Sequence, residues 1–223
     1  MAKTLGVTQF LSMKKKTMSF DGAWKEAIGE PECCGSWYIS GASASGKTRF
    51  CCLLAKYISG FERVLYNSLE EGDSVSLQKA FRAVGMEEVN KRVILAVKEP
   101  LEEMIERLKA KRSPNVIFID SLQYIALNRT KYLKMVEMFP RKLFIIISHA
   151  KGNNPPSDFA LFVKYDSFVK IWVEGYVAKC ESRYRDGNDE GKYIIWPEGA
   201  ARYWGNTDNN TCLLYTSDAA DDK

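Results

Sequence analysis

A chain of 223 residues, 46% of them hydrophobic and 27% charged, carries enough apolar material for one sizeable core and too little length for two ordinary domains and a linker. Its charge balance and ordinary Gly and Pro content exclude disordered and fibrous classes, and no apolar run approaches the roughly 18 residues that cross a bilayer, so no membrane partner is expected. The formal net charge of +4 permits a nucleic-acid partner without requiring one.

Residues 1–20 carry the run Lys14-Lys15-Lys16 and no apolar periodicity, the pattern of a solvated arm, with a contact to DNA or a partner as the second reading. They lack the long apolar core of a secretory signal, so a cytoplasmic setting is expected. A short helix is predicted from Asp21, a suitable N-cap, to Ile28, stopped by Gly29 and Pro31. Arm and helix form an N-terminal segment, 1–30, ahead of one domain expected over 31–205.

Strand and helix then alternate. Ser36 to Ser40 reads as a strand, Gly46 to Ser59 as a helix closed by Gly60, and Arg63 to Ser68 as a strand. A helix from Ser74 to Val84 ends at Gly85, Arg92 to Val97 is a strand, and Pro100 opens a helix to about Lys111. The strand Val116 to Ile119, a helix near Thr130 to Phe139 and the strand Lys142 to Ser148 complete this part. Several of these strands are apolar throughout, as expected where helices cover both faces of a mostly parallel sheet, so the class is α/β. After a loop over Gly152 to Ser157, antiparallel hairpin strands are predicted at Val169 to Val173, Tyr176 to Cys180 and Lys192 to Trp196. Residues 206–223 read as a disordered tail, and within it the string from Cys212 to Asp222 resembles the translation of a transposon-adapter end, which sets it aside from the fold.

The six cysteines fall as Cys33/Cys34, Cys51/Cys52, Cys180 and Cys212, without CxxC spacing and with one His in the chain, so reduced thiols are expected and not a metal or disulfide framework. Trp37, Trp172, Trp196 and Trp204, with Tyr193 and Tyr203, could stack on bases, but their strand context favours packing.

The segment Gly41-Ala42-Ser43-Ala44-Ser45-Gly46-Lys47-Thr48 fits G-x-x-x-x-G-K-[ST] directly after a predicted strand and at the start of a predicted helix, the context that makes the pattern a phosphate-binding loop. Glycines let backbone N–H groups close on phosphate oxygens, and the helix N-terminus favours an anion. Lys47 is expected to reach the β- and γ-phosphates and Thr48 to ligate Mg²⁺. Asn115 to Asp120 is an apolar strand ending in an acid, which places Asp120 as the carboxylate that holds Mg²⁺. For attack by water a base is needed, and Glu70, with Glu71 as runner-up, stands at the end of the strand after the loop's helix.

The order of this loop, Tyr66-Asn-Ser-Leu-Glu70-Glu71-Gly72, Ile119-Asp120-Ser121-Leu122-Gln123 and Ile147-Ser148-His149 resembles the RecA-like P-loop ATPase superfamily, in particular its RadA-like and DnaB-helicase-like branch, over roughly residues 35 to 196. The resemblance implies ATP as substrate with Mg²⁺, Lys47, Glu70 and Asp120 as catalytic residues, and Ser148 or His149 as the sensor of the γ-phosphate ahead of a DNA-facing loop at Ala150 to Tyr165. It also implies a homo-oligomer in which a basic finger enters the neighbouring subunit's site. The segment from Lys179 to Gly187 is similar to that finger but departs from its Lys-x-Arg spacing, so Lys179, Arg183 and Arg185 all stand as candidates, beside the reading of a solvated hairpin edge. The helicases' assembly domain and RadA's protease-like extension have no counterpart in this sequence, which resembles small stand-alone ATPases of phages and mobile elements. The implied activity is Mg²⁺-dependent ATP hydrolysis coupled to DNA replication, recombination or repair, with single-stranded DNA as a possible partner. An oligomeric nucleotide-binding scaffold with little turnover and a small-molecule kinase are the alternatives. A switch GTPase is disfavoured because Asn90-Lys91 is followed by Arg92-Val93 and not by the x-Asp of a guanine reader.

Overall fold

The structure, a computed structural model, describes residues 4–150, 154–187 and 190–205. Its strands are β1 (Gly35–Gly41), β2 (Val64–Ser68), β3 (Val93–Val97), β4 (Val116–Asp120), β5 (Leu143–His149), β6 (Val169–Glu174), β7 (Val177–Ser182) and β8 (Gly191–Ile194). Together they form one sheet in the order β3-β2-β4-β5-β1-β6-β7-β8. Neighbours from β3 to β6 run parallel, and β7 and β8 return antiparallel.

The helices are α1 (Val7–Leu11), α2 (Gly22–Ile28), α3 (Lys47–Ser59), α4 (Val75–Ala83), α5 (Leu101–Lys109), α6 (Arg129–Met138), α7 (Asp158–Asp166) and α8 (Pro197–Trp204). The two-residue period of a strand explains why the sheet needs helices on both sides. On one face Trp37, Ile39, Tyr66, Phe118, Ile145 and Ile147 pack with residues of α2, α3 and α4. On the other, Tyr38, Leu65, Ile117, Ile119, Phe144 and Ile146 pack with residues of α5, α6 and α7. Each large side chain buried this way contributes about 1.5–3 kcal/mol of transfer free energy.

Caps start several helices where the sequence supplies short polar residues. Ser74, Asn128 and Ser157 accept from the N–H groups of Leu77, Lys131 and Ala160, opening α4, α6 and α7. Asp21 instead accepts from the Tyr57 hydroxyl at 2.6 Å. Met18, Phe20, Trp24 and Ile28 are part of the core, and the Trp24 ring stacks on Tyr193 with centroids 3.9 Å apart.

Three expectations change. The stretch read as a loop from Ala150 to Tyr165 contains α7, whose Ala160 and Val163 pack on the sheet; Pro155-Pro156 ahead of it obscured its start. A helix, α8, follows β8 at Pro197, a residue suited to a first helical turn, so the last strand ends at Ile194 and not at Trp196. The arm contains α1, whose Val7, Phe10 and Leu11 are exposed. The tail 206–223, with the adapter-like string and Cys212, lies outside the described residues, as do 151–153 of the Gly152 to Ser157 loop. Among the described residues, Cys33, Cys34, Cys51, Cys52 and Cys180 are free thiols, and no helix is long and apolar enough to cross a membrane.

Candidate active site

Between β1 and α3 the chain turns through Gly41 to Thr48. Ala44 and Gly46 both have left-handed backbones, with φ of 58° and 100°. Left-handed residues alternating with right-handed ones turn successive N–H groups toward one concavity, which suits an anion. Gly41 is required by its neighbour, since a Cβ there would lie 2.2 Å from the Val173 carbonyl oxygen. The Ser45 hydroxyl is buried beneath the turn without a hydrogen-bond partner. The Lys47 ammonium donates to the carbonyls of Gly41 at 2.8 Å and Ala42 at 2.7 Å. Burial lowers its pKa, opposed by Glu70 and Asp120 among its neighbours.

Parallel pairing brings the acids to this turn. The N–H groups of Leu69 and Glu70 donate to the Asp120 carbonyl at 2.6 and 3.1 Å, tying the end of β2 to the end of β4. The Tyr66 hydroxyl donates to Asp120 Oδ2 at 2.6 Å. Even so, burial pushes the Asp120 carboxyl up to about 6 against the pull of that hydrogen bond, and the negative charges of Glu70 and Glu71 add to the rise.

Glu70 Oε2 accepts from the Ser121 hydroxyl at 3.1 Å and lies 3.0 Å from His149 Nε2. Glu71 turns the other way: its carboxylate accepts from the Thr48 hydroxyl at 3.4 Å and from Ser74 at 3.2 Å. Gln123 joins the ends of β4 and β5, donating to Ser148 Oγ at 2.9 Å and accepting from the His149 N–H at 3.3 Å. Ser148 is buried, and its own hydroxyl donates to the His149 carbonyl at 2.9 Å.

One cleft of about 450 Å³ gathers these groups. Ser43, Ala44, Gly46, Lys47 and Thr48 line it together with Glu70, Asp120, Ser148 and His149. Gly41, Ala42 and Ser45 belong to the same turn and do not line the cleft. The basic candidates stand apart from it. Lys179 lies 5.0 Å from the centroid of the Trp204 ring and Arg183 lies 5.1 Å from that of Phe168. Because β7 runs antiparallel, with Ser182 opposite Val169, the segment holding Arg183 and Arg185 lies beyond the sheet end remote from Gly41. Sequence reasoning gave no role to Tyr66, Ser121, Gln123 or Tyr176, the last of which also lines the cleft. Ser121 and Gln123 were findable by their proximity to Asp120; Tyr176 had no local signal.

The donors around Thr48 are hard oxygens: its hydroxyl and the carboxylates of Glu71 and Asp120. That chemistry fits Mg²⁺ and not a thiophilic metal. The field that raises the Asp120 carboxyl is the one that attracts a cation. Among the described residues no group of three or more His, Cys, Asp or Glu is arranged to hold a metal. Mg²⁺ that takes one or two protein oxygens and completes its shell with phosphates and water needs no such group.

No protein-family model matches the chain, and no curated protein matches its sequence. Solved structures do match. The flagellar accessory protein FlaH from Methanocaldococcus jannaschii aligns with a TM-score of 0.56 and 13% identity over 80% of this chain and 93% of its own. The KaiC-like protein PH0186 from Pyrococcus horikoshii OT3 aligns with a TM-score of 0.59 and 16% identity, over 83% of this chain and 97% of its own. The ATPase domain of a helicase aligns with a TM-score of 0.51 and 14% identity, over 74% of this chain and 83% of its own. At such identities the likeness is one of fold, and the fold is that of the RecA-like P-loop ATPases.

Proposed function

We propose that this chain, on its RecA-like fold, binds ATP with Mg²⁺ and hydrolyses it to ADP and phosphate, as a homo-oligomer working on DNA. One observation carries the reading: the ends of four neighbouring or near-neighbouring strands deliver the Gly41 to Thr48 turn, Glu70, Asp120 and the Ser148-His149 pair to a single cleft. In this reading the turn's amides hold phosphate oxygens, and Lys47 exchanges its two carbonyl partners for the β- and γ-phosphates. Thr48 and Asp120 hold Mg²⁺, which when bound neutralises charge between those phosphates.

Glu70 is the base that takes the proton of the attacking water, aimed by Ser121 and His149. Glu71, engaged by Thr48 and Ser74, supports the metal side. Ser148 and His149, bridged by Gln123, sense the γ-phosphate and relay its loss toward α7. Lys179, Arg183 and Arg185 do not line the cleft of their own chain, so a finger role for any of them requires a second copy. The formal charge of +4 supports, and does not specify, single-stranded DNA as the partner.

One observation favours a second reading, an oligomeric scaffold that holds nucleotide with little turnover: Glu70 is already engaged by both Ser121 and His149. A single experiment separates the two. ATP turnover is measured with and without single-stranded DNA, for wild type and Lys47→Ala, with the mass of the nucleotide-bound assembly determined in parallel. Hydrolysis by wild type and a loss of at least about 100-fold in the variant are expected. Equal turnover in both rejects the site, whereas bound but unhydrolysed ATP in wild type supports the scaffold.

A further inference from the structure

We propose that Tyr176 is the platform on which the nucleobase stacks, an inference that rests on reading the cleft as a nucleotide site. The sheet order dictates where a base can go. The acids come from β2 and β4 and the Ser148-His149 pair from β5, all on one side of β1. On the other side of β1 lies β6, and the element reaching the cleft there is the turn between β6 and β7. A triphosphate whose γ end faces Glu70 and Asp120 therefore carries its sugar and base away from the acids, toward that turn.

The turn is fastened to the phosphate loop. The Tyr176 N–H donates to the Ser45 carbonyl at 3.2 Å, and the Tyr176 carbonyl accepts from the Ile195 N–H at 2.9 Å. A Cβ on Gly46 would lie 3.0 Å from the Tyr176 ring, so only glycine lets ring and loop approach this closely. Tyr176 has φ of 61°, a left-handed backbone that side-chain-bearing residues rarely adopt. Neighbouring Gly175 could take such a conformation freely; holding it at a tyrosine directs this ring to the cleft wall.

The ring is half-buried and meets Trp196 edge-on, with centroids 5.0 Å apart and an interplanar angle of 83°. That contact fixes its tilt without covering it as a stacked neighbour would. Apart from the imidazole of His149, on the acid side, it is the one aromatic ring lining the cleft among the described residues. Stacking reads a π-face and no base edge, so this platform takes purine nucleotides as a class, ATP and GTP alike.

The test measures Mg²⁺-dependent affinities for ATP and for ribose 5′-triphosphate, which differ only in the base, by calorimetry. Wild type is expected to bind ATP roughly tenfold or more tightly than the abasic compound. Tyr176→Phe keeps the ring and is expected to preserve that ratio; Tyr176→Leu keeps apolar bulk and is expected to abolish it while leaving ribose 5′-triphosphate affinity within about twofold. A wild-type ratio near one overturns the proposal without any variant, so a Leu variant that fails to fold does not shelter it. Parallel weakening of both ligands by Tyr176→Leu also overturns it, assigning the ring to loop support alone. If wild type binds neither compound, the nucleotide reading of the cleft fails with it.

Discussion

The parallel strands and the antiparallel return treat their chemistry in opposite ways. β1, β2, β4 and β5 are buried along nearly their whole length, and their carboxyl ends share one edge of the sheet. Open α/β sheets bind ligands at that edge, because every parallel strand leaves its last residue there. β6 and β7 alternate buried and half-buried or exposed residues, packing one face on the core and leaving the other open. Reversal of β7 carries its last residues to the far end, so Arg183 and Arg185 leave the cleft that Glu70 and Asp120 share. Topology alone concentrates acids in one subunit's cleft and sets the basic segment where only another copy could use it.

The sharpest way to break that contrast is to remove one strand-end acid. Glu70→Gln is expected to retain ATP and lose about 10²–10⁴-fold in phosphate release, the range of a general base. Glu71→Gln should lose less, since its carboxylate is committed to Thr48 and Ser74. An equal loss would move the base by one position. Mixing Glu70→Gln with Arg183→Ala or Arg185→Ala should restore part of the activity if the finger crosses between subunits, because intact half-sites then meet. Flat activity across mixing ratios would sink the inter-subunit arrangement.

Which parts could be read without coordinates follows the same division. Val116 to Asp120 is an apolar run closed by an acid, a local signal, and the phosphate loop carries its own spacing. The Glu70–His149 contact joins positions far apart in sequence and exists only because β2, β4 and β5 are laid in register. Tyr176 looked like the first residue of a strand, yet it sits in the turn before β7 with a left-handed backbone. That conformation is imposed by bonds to Ser45 and Ile195, which no window around residue 176 contains. The α7 helix was hidden differently: nine residues are too few for a clear period, and two prolines precede them.

A second contrast concerns stability. Phe118, on β4, is fully buried and stacks on Tyr66 with centroids 5.4 Å apart; Ile194, on β8, is 50% exposed. Phe118→Ala is expected to cost about 3–5 kcal/mol through lost transfer energy and a residual cavity, and Ile194→Ala about 0.5 kcal/mol or less. Urea unfolding of both variants measures the difference. Comparable losses would mean that the antiparallel edge is as integral to the core as the parallel centre.

Gathering carboxylates at one edge has its own energetic consequence, and Asp120 exposes it. Its carboxyl holds a proton up to about pH 6 in the fold, against an ordinary value of 3.8, because burial disfavours the charge and Glu70 and Glu71 add repulsion. The folded state thus binds more protons than the unfolded chain between those values, so this group's contribution to stability falls as pH rises from about 4 to about 6 and stays low above. Glu62 and Glu102, whose carboxyls are held below their usual range, act in the opposite sense, which makes the difference between wild type and Asp120→Asn the informative quantity. An asparagine oxygen can still accept from Tyr66 but never charges. Urea midpoints are therefore expected to diverge over that window, with Asp120→Asn the more stable protein at pH 7 by on the order of 1–3 kcal/mol. Mg²⁺ with ATP should narrow the gap by compensating the carboxylate in wild type only. Midpoints that track each other from pH 4 to 7 would show that the strand-end acids coexist without cost, and the electrostatic half of the comparison would fall.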